Sequence, residues 1–256
     1  MSNEHKKYIQ KIKKKKLLIK ITQLSILIIF IFLWELLSNK NVINSFITSS
    51  PSNIIKTIIK LYNENNLWIH IYITIKEVLL AFVITTTLAI IISIILYSFP
   101  FVAKTLDPYL TIFNSLPKVA LGPIIIIWLG ANTKSIITMA ILISLIVSIQ
   151  NIYNGFLNTD KSKIKLLKTF NATKLQILTK LIIPANKSTI LNSLKINISM
   201  CLIGVISGEF LTSKAGIGYL IMYGTQVFNL NLVMTGIFLL TIISYIMYLI
   251  ITKIKI

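Results

Sequence analysis

Apolar residues in this 256-residue chain gather in blocks of roughly twenty, divided by short polar stretches. Such a block is the length a helix needs to cross bilayer hydrocarbon, since each residue advances about 1.5 Å through a layer about 30 Å thick. Six blocks read as spans, at residues 21–37, 71–97, 108–130, 135–152, 190–211 and 230–251. Between the first two, Ser49-Ser50-Pro51-Ser52 is a helix start signal and predicts a short amphipathic helix through Tyr62. Ser98-Phe99-Pro100 breaks the chain after the second span, and Lys104 and Asp107 mark a short turn before the third. Residues 212–229, with Gly216, Gly218 and Gly224, predict a turn followed by a short interfacial helix.

Polar residues within the blocks carry more information than the apolar ones. Pro117, Gly122 and Pro123 interrupt the third span, and a proline in a membrane helix frees carbonyls that protein or water must satisfy. That segment therefore reads as lining an interior, with Lys118 adding a charge unwelcome in lipid. A packing kink with a snorkelling lysine stays open beside it. Lys76 and Glu77 point about 100° apart on a helix, so they do not pair with each other, and one of them faces protein or headgroups. Trp34 and Glu35 fall near the end of the first span, and Glu209 falls near the end of the fifth.

The most distinctive stretch lies between the fourth and fifth spans. Residues 160–189 hold seven lysines against one acid, yet Leu166, Phe170, Ile177 and Leu181, with Leu167, Leu178 and Ile182, recur three or four apart. This spacing predicts a helix with one apolar side, held in a basic loop at a membrane surface. A connector of about 30 residues with its own helical pattern is longer than a link requires.

Composition agrees with a lipid solvent: 55% of residues are hydrophobic, 13% are charged and the mean hydropathy is +0.82. All 26 basic residues are lysines and the net charge is +19, but their distribution argues against nucleic acid. Residues 1–20 hold eight lysines and Glu4, the 153–189 loop seven lysines and Asp160, and the C-terminus Lys253 and Lys255. Six spans put all three on one side, where the excess is +15 against +4 opposite, so both termini and the basic loop are expected in the cytoplasm. Residues 1–20 then form a basic cytoplasmic head, and residues 21–256 the membrane domain, with its loop at about 153–189. The first apolar run has no convincing cleavage site and reads as a retained anchor. Basic flanks also suit anionic headgroups, which makes membrane lipid an expected partner.

The single cysteine, Cys201, lies in an apolar run and reads as a buried thiol. His5 and His70 are the only histidines, so no metal cluster or Ser-His-Asp set can be assembled, and the chain is not expected to be an enzyme. A relay through Glu35, Lys118 and Glu209 would instead suit an ion-coupled secondary transporter, the alternative to the reading that follows.

Three stretches resemble, in order, the permease subunits of ABC importers. The loop lines up with the coupling motif Glu-Ala-Ala-x3-Gly-x9-Ile-x-Leu-Pro. The first three positions fall on Lys165, Leu166 and Leu167, the glycine on Asn171 (followed by Ala172 and Leu175), and the end on Leu181, Ile183 and Pro184. Pro184 is identical, Lys165 reverses a charge, and Asn171 can take the left-handed conformation of a glycine turn. Pro117, Ala120, Pro123, Trp128 and Gly130 match the third-span signature, and Glu209, Gly216, Gly218, Tyr219, Leu220 and Ile221 match the stretch after the fifth span.

The resemblance is to the nitrate, sulfonate and taurine branch, which includes transporters of pyrimidine precursors. It implies an all-α polytopic membrane protein of six transmembrane helices with a type I importer (MetI-like) core. It also implies a cytoplasmic ABC ATPase dimer as partner, a second permease copy and an extracytoplasmic solute-binding protein, with Pro117, Lys118, Pro123, Glu209, Gly216 and Gly218 near the path or its gate. ATP and Mg would bind the ATPase, since this chain has no Gly-x4-Gly-Lys-Ser/Thr loop. Such an importer takes up a small polar or anionic solute at the cell membrane.

Overall fold

The computed structural model describes residues 3–40, 42–43, 48–64 and 66–253. Lys255 of the basic tail and the side chains of Glu4, His5, Lys6 and Lys7 lie outside the described residues. Among the described residues the architecture is helical. Helix α1 (Asn3–Asn39) is followed by a short α2 (Pro51–Asn63), α3 (Leu67–Ser98), α4 (Pro100–Ser115), α5 (Gly122–Leu129) and α6 (Thr133–Leu157). The basic segment folds as α7 (Lys161–Thr169), α8 (Lys174–Ile177) and a π-helical turn (Leu178–Ile182). Helices α9 (Lys187–Thr212), α10 (Ile217–Gln226) and α11 (Leu230–Lys253) complete the chain.

Helices α1, α3, α6, α9 and α11 are each long and apolar enough to cross a bilayer. Helices α4 and α5, with the 3-10 turn Lys118–Leu121, together make a sixth candidate span bent by 85°. The six expected spans are thus present, with one correction. Lys104 and Asp107 mark no turn, because α4 runs from Pro100 to Ser115 straight through them, with Pro108 inside it. Both side chains are exposed, so the polar pair decorates a helix surface and leaves the backbone path unchanged.

The core is α6 packed on α9, with α3 against both. Close approach is possible because small residues face each other: a Cβ on Gly204 would run into the backbone of Ala140. Lipid is as apolar as leucine, so close packing and polar bonds between helices, more than burial, hold such a bundle together. Thr85 and Ser144 lie 3.2 Å apart, Asn197 donates to Thr86 at 2.8 Å, and Ser93 donates to the Ile149 carbonyl at 3.1 Å. Cys201 is fully buried in the same seam, where its thiol donates to Ser144 at 3.3 Å.

Helix α1 stands off from this core, since no residue of its apolar window is buried. It is moored at its C-terminal end, where the Glu35 carboxylate accepts from the Ser52 amide at 3.0 Å, while the Asn39 side chain of the same helix donates to that carboxylate at 3.1 Å. The start signal at 49–52 acts as expected, with Pro51 opening α2 and Ser50 as N-cap accepting from the Asn53 amide at 3.2 Å. Ser50→Ala is expected to lower stability by about 1 kcal/mol, readable as a small fall in the thermal unfolding midpoint of the solubilised protein.

Candidate functional site

The basic loop takes its shape from its caps. Asp160 caps α7 by accepting from the Ser162 amide at 2.8 Å. Thr173 and Gln176 cap α8 reciprocally, at 3.3 and 2.8 Å. Between the two helices Asn171 has φ +55°, the left-handed turn anticipated for the residue that replaces glycine. The Ala172 amide closes the turn on the Leu167 carbonyl at 3.1 Å.

This turn changes the expected apolar side. A single helix over the whole segment would put every apolar residue on one face, but the break at Asn171 resets the helical phase and divides them into two sets. Ile177, Leu178 and Ile182 are buried against Ile152, Phe156 and Leu96, with Leu167, Ala172 and Ile183 partly buried beside them. Leu181 is also half-buried. The other set points away: Leu166 is 57% exposed, Leu175 69% and Phe170 74%. Lys165 and Pro184 are exposed as well. One set anchors the loop to the bundle and the other leaves three large apolar side chains exposed among lysines.

In the bent span the chain turns extended at Leu116 and enters the 3-10 turn after Pro117. Lys118 curls back and donates to the Asn114 carbonyl at 3.0 Å, satisfying a carbonyl at the end of α4. Pro123 begins α5, whose Ile127 and Trp128 are 80% and 78% exposed. Lys118 thus caps the end of the broken helix.

At the bundle end opposite the loop, Glu209 is 1% exposed. Its carboxylate accepts from the Thr74 hydroxyl at 2.7 Å and from the Gly218 amide at 2.5 Å. The Thr74 oxygen accepts from the Ile217 amide at 2.8 Å, and His70 Nδ1 accepts from the Gly216 amide at 2.9 Å. Three successive amides, 216 to 218, are thus each held by a side chain, and Gly216 has φ +119° with no room for a Cβ beside the Glu209 carboxyl. His70, Tyr219 and Tyr223 stack with ring centres 5.8 and 5.9 Å apart, beside a cavity of about 600 Å³ bordered by Lys60, Lys214 and Asn229.

The structure brings Glu209, Gly216 and Gly218 together and adds Thr74 and His70, which carried no sequence signal for that role. It also resolves the pair at 76 and 77, with Lys76 exposed and Glu77 2% exposed, facing Thr133 and Glu209. Glu35, Lys118 and Glu209 each bond to different partners, and among the described residues none hydrogen-bonds another.

Residues 85–254 match the family model described as "Binding-protein-dependent transport system inner membrane component". The chain is 26% identical over 220 residues to a probable ABC transporter permease protein of Haemophilus influenzae, covering 86% of this chain and 89% of that one. It is 25% identical over 216 residues to the putative aliphatic sulfonates transport permease protein SsuC of Bacillus subtilis, covering 84% and 78%. It is 26% identical over 187 residues to the formylaminopyrimidine transport permease protein ThiX of Halalkalibacterium halodurans, covering 73% and 74%. In fold, it resembles a chain of the inward-facing MetNI methionine ABC transporter with a TM-score of 0.63 at 15% identity, covering 73% of this chain and 94% of that one.

Proposed function

The chain belongs to the binding-protein-dependent transport system inner membrane components and is an ABC importer permease, and on that footing we propose that it couples ATP hydrolysis on a separate subunit to solute entry through its basic loop. The observation that carries this reading is the exposure of Leu166, Phe170 and Leu175, three large apolar side chains more than half exposed on α7, at its C-terminal end and on α8, which we read as one apolar knob in a polar, lysine-rich loop. An apolar helix face of that size suits a groove on a cytoplasmic ATPase dimer, and the surrounding lysines suit an acidic rim. The loop, both termini and the basic head are then cytoplasmic, as the lysine distribution favours.

On this reading an external binding protein delivers its cargo at the other end of the bundle, beside the stacked rings and their cavity. A second copy of the chain completes the pore, and the exposed apolar surface of α1 and of Ile127 and Trp128 is available to that copy or to lipid. Pro117, Lys118 and Pro123 form the bent segment beside the path, and Glu209, Gly216 and Gly218 hold the loop at its outer end. The cargo is a small polar or anionic solute of the sulfonate, taurine, nitrate or pyrimidine-precursor kind; the named relatives include permeases for aliphatic sulfonates, formylaminopyrimidine and taurine.

Topology and partner are tested together. Cys201 is fully buried, so a Phe170→Cys protein carries one accessible thiol. It is expected to react with an impermeant maleimide in inside-out vesicles only, and tagged wild-type protein is expected to retain the ATPase encoded beside it after gentle solubilisation. Labelling from the outer surface, or a permease that never retains an ATPase, would overturn the reading.

A further inference from the structure

We propose that Asn186 is a positioning residue for coupling, a clamp that joins the two ends of the basic loop so that a push on the knob moves α6 and α9 together. The inference rests on the docking role proposed above for Leu166, Phe170 and Leu175. Asn186 is 7% exposed and sits in the non-helical joint between Ile183–Ala185 and α9. Its side-chain amide donates to the Thr159 hydroxyl at 2.7 Å and to the Ile182 carbonyl at 2.9 Å. Thr159 is equally buried and lies just past the end of α6, 27 residues earlier in the chain. The side-chain oxygen of Asn186 packs over Gly155 of α6, where a Cβ would come within 3.2 Å of it.

A clamp matters here because the returning arm of the loop contains a soft place. In the π turn Leu178–Ile182 the Ile183 amide reaches back five residues to the Leu178 carbonyl, and Pro184 offers no amide to the next one. A helix widened in this way and followed by a proline can change register, so a displaced knob can be absorbed by rewinding the turn. The alternative is motion of the whole loop with both attached spans. Asn186 biases the outcome by holding the end of the soft turn, through the Ile182 carbonyl, to the end of α6 through Thr159. Since α6 and α9 also pack on each other more extensively than any other helix pair among the described residues, the loop and both helices then act as one lever.

The test uses the full complex of permease, neighbouring ATPase and binding protein in nanodiscs, with ATP hydrolysis measured with and without the binding protein as purified. Asn186→Ala and Thr159→Val are each expected to leave basal hydrolysis per assembled complex unchanged and to reduce the binding-protein-stimulated part about fivefold, within the range for residues that modulate coupling between sites. The double variant should be no worse than Asn186→Ala alone, because that change already removes the bond that Thr159→Val removes, and Thr159→Ser, which keeps the hydroxyl, should restore stimulation. A role in folding alone would lower the amount of complex and leave the ratio of stimulated to basal hydrolysis intact. Should Asn186→Ala fail to accumulate, Thr159→Val, close to isosteric, decides: full stimulation in that variant overturns the clamp. Failure of the wild-type chain to retain the ATPase would instead overturn the docking reading, so the two failures are distinguishable.

Discussion

Phe170→Asp is expected to release the ATPase and abolish uptake while leaving membrane insertion and the thermal stability of the isolated subunit within about 0.5 kcal/mol of wild type. The asymmetry follows from exposure. At 74% exposed, Phe170 contributes almost no contact to its own fold, so its loss opens no cavity. In a docked complex the same ring would be desolvated, and burying it contributes about 1.5 to 3 kcal/mol. A carboxylate in an apolar groove adds a desolvation cost of at least a further 1 to 2 kcal/mol or so. Together these predict an association at least about a hundredfold weaker, measured by retention of the ATPase on a tagged permease and by uptake in cells. Normal retention and uptake would mean that force enters the subunit elsewhere.

Hydropathy made most of the fold legible, because bilayer thickness fixes helix length and backbone satisfaction leaves helices as the available spans for such blocks. The limits of α3, α6, α9 and α11 lie within a few residues of the apolar blocks, and α10 follows its turn as expected. The start of the third span resisted, since the charged pair Lys104 and Asp107 read as a turn where headgroups tolerate them on a helix surface. Lys104, Asp107 and Pro108 lie within one continuous α4, and the bend falls at Leu116 and Pro117, the first of the interruptions read in that span.

The candidate site was legible where chemistry is local. Asn171 could be read as a left-handed turn because the requirement belongs to one residue's φ. The single apolar face could not survive that same turn, because a 3.6-residue period carries information only as far as the helix does. Pairings such as Thr74 with Glu209, 135 residues apart, or Asn186 with Thr159 leave no trace in composition or spacing, since they arise when α3, α6 and α9 pack. Glu209 and its glycines are legible as a motif, whereas the hydrogen bonds by which Glu209 holds the α9–α10 loop require the fold.

Gly216→Ala is expected to lower the thermal unfolding midpoint of the nanodisc-embedded protein by ~10 °C or more. Two costs combine. A φ of +119° with extended ψ is a region that residues with a Cβ scarcely occupy, costing roughly 1 to 3 kcal/mol. The new methyl also collides with the Glu209 carboxyl, so either the loop or the carboxylate must leave, and the Gly218 amide and Thr74 hydroxyl lose their buried acceptor at about 1 to 3 kcal/mol each. Glu209→Ala makes room for the methyl at the price of that same acceptor. The Gly216→Ala, Glu209→Ala double variant should therefore be less destabilised than the sum of the two single ones, whereas additive losses would show that the glycine and the carboxylate act independently. An unchanged midpoint for Gly216→Ala alone would mean that the 216–218 loop is not held by Glu209.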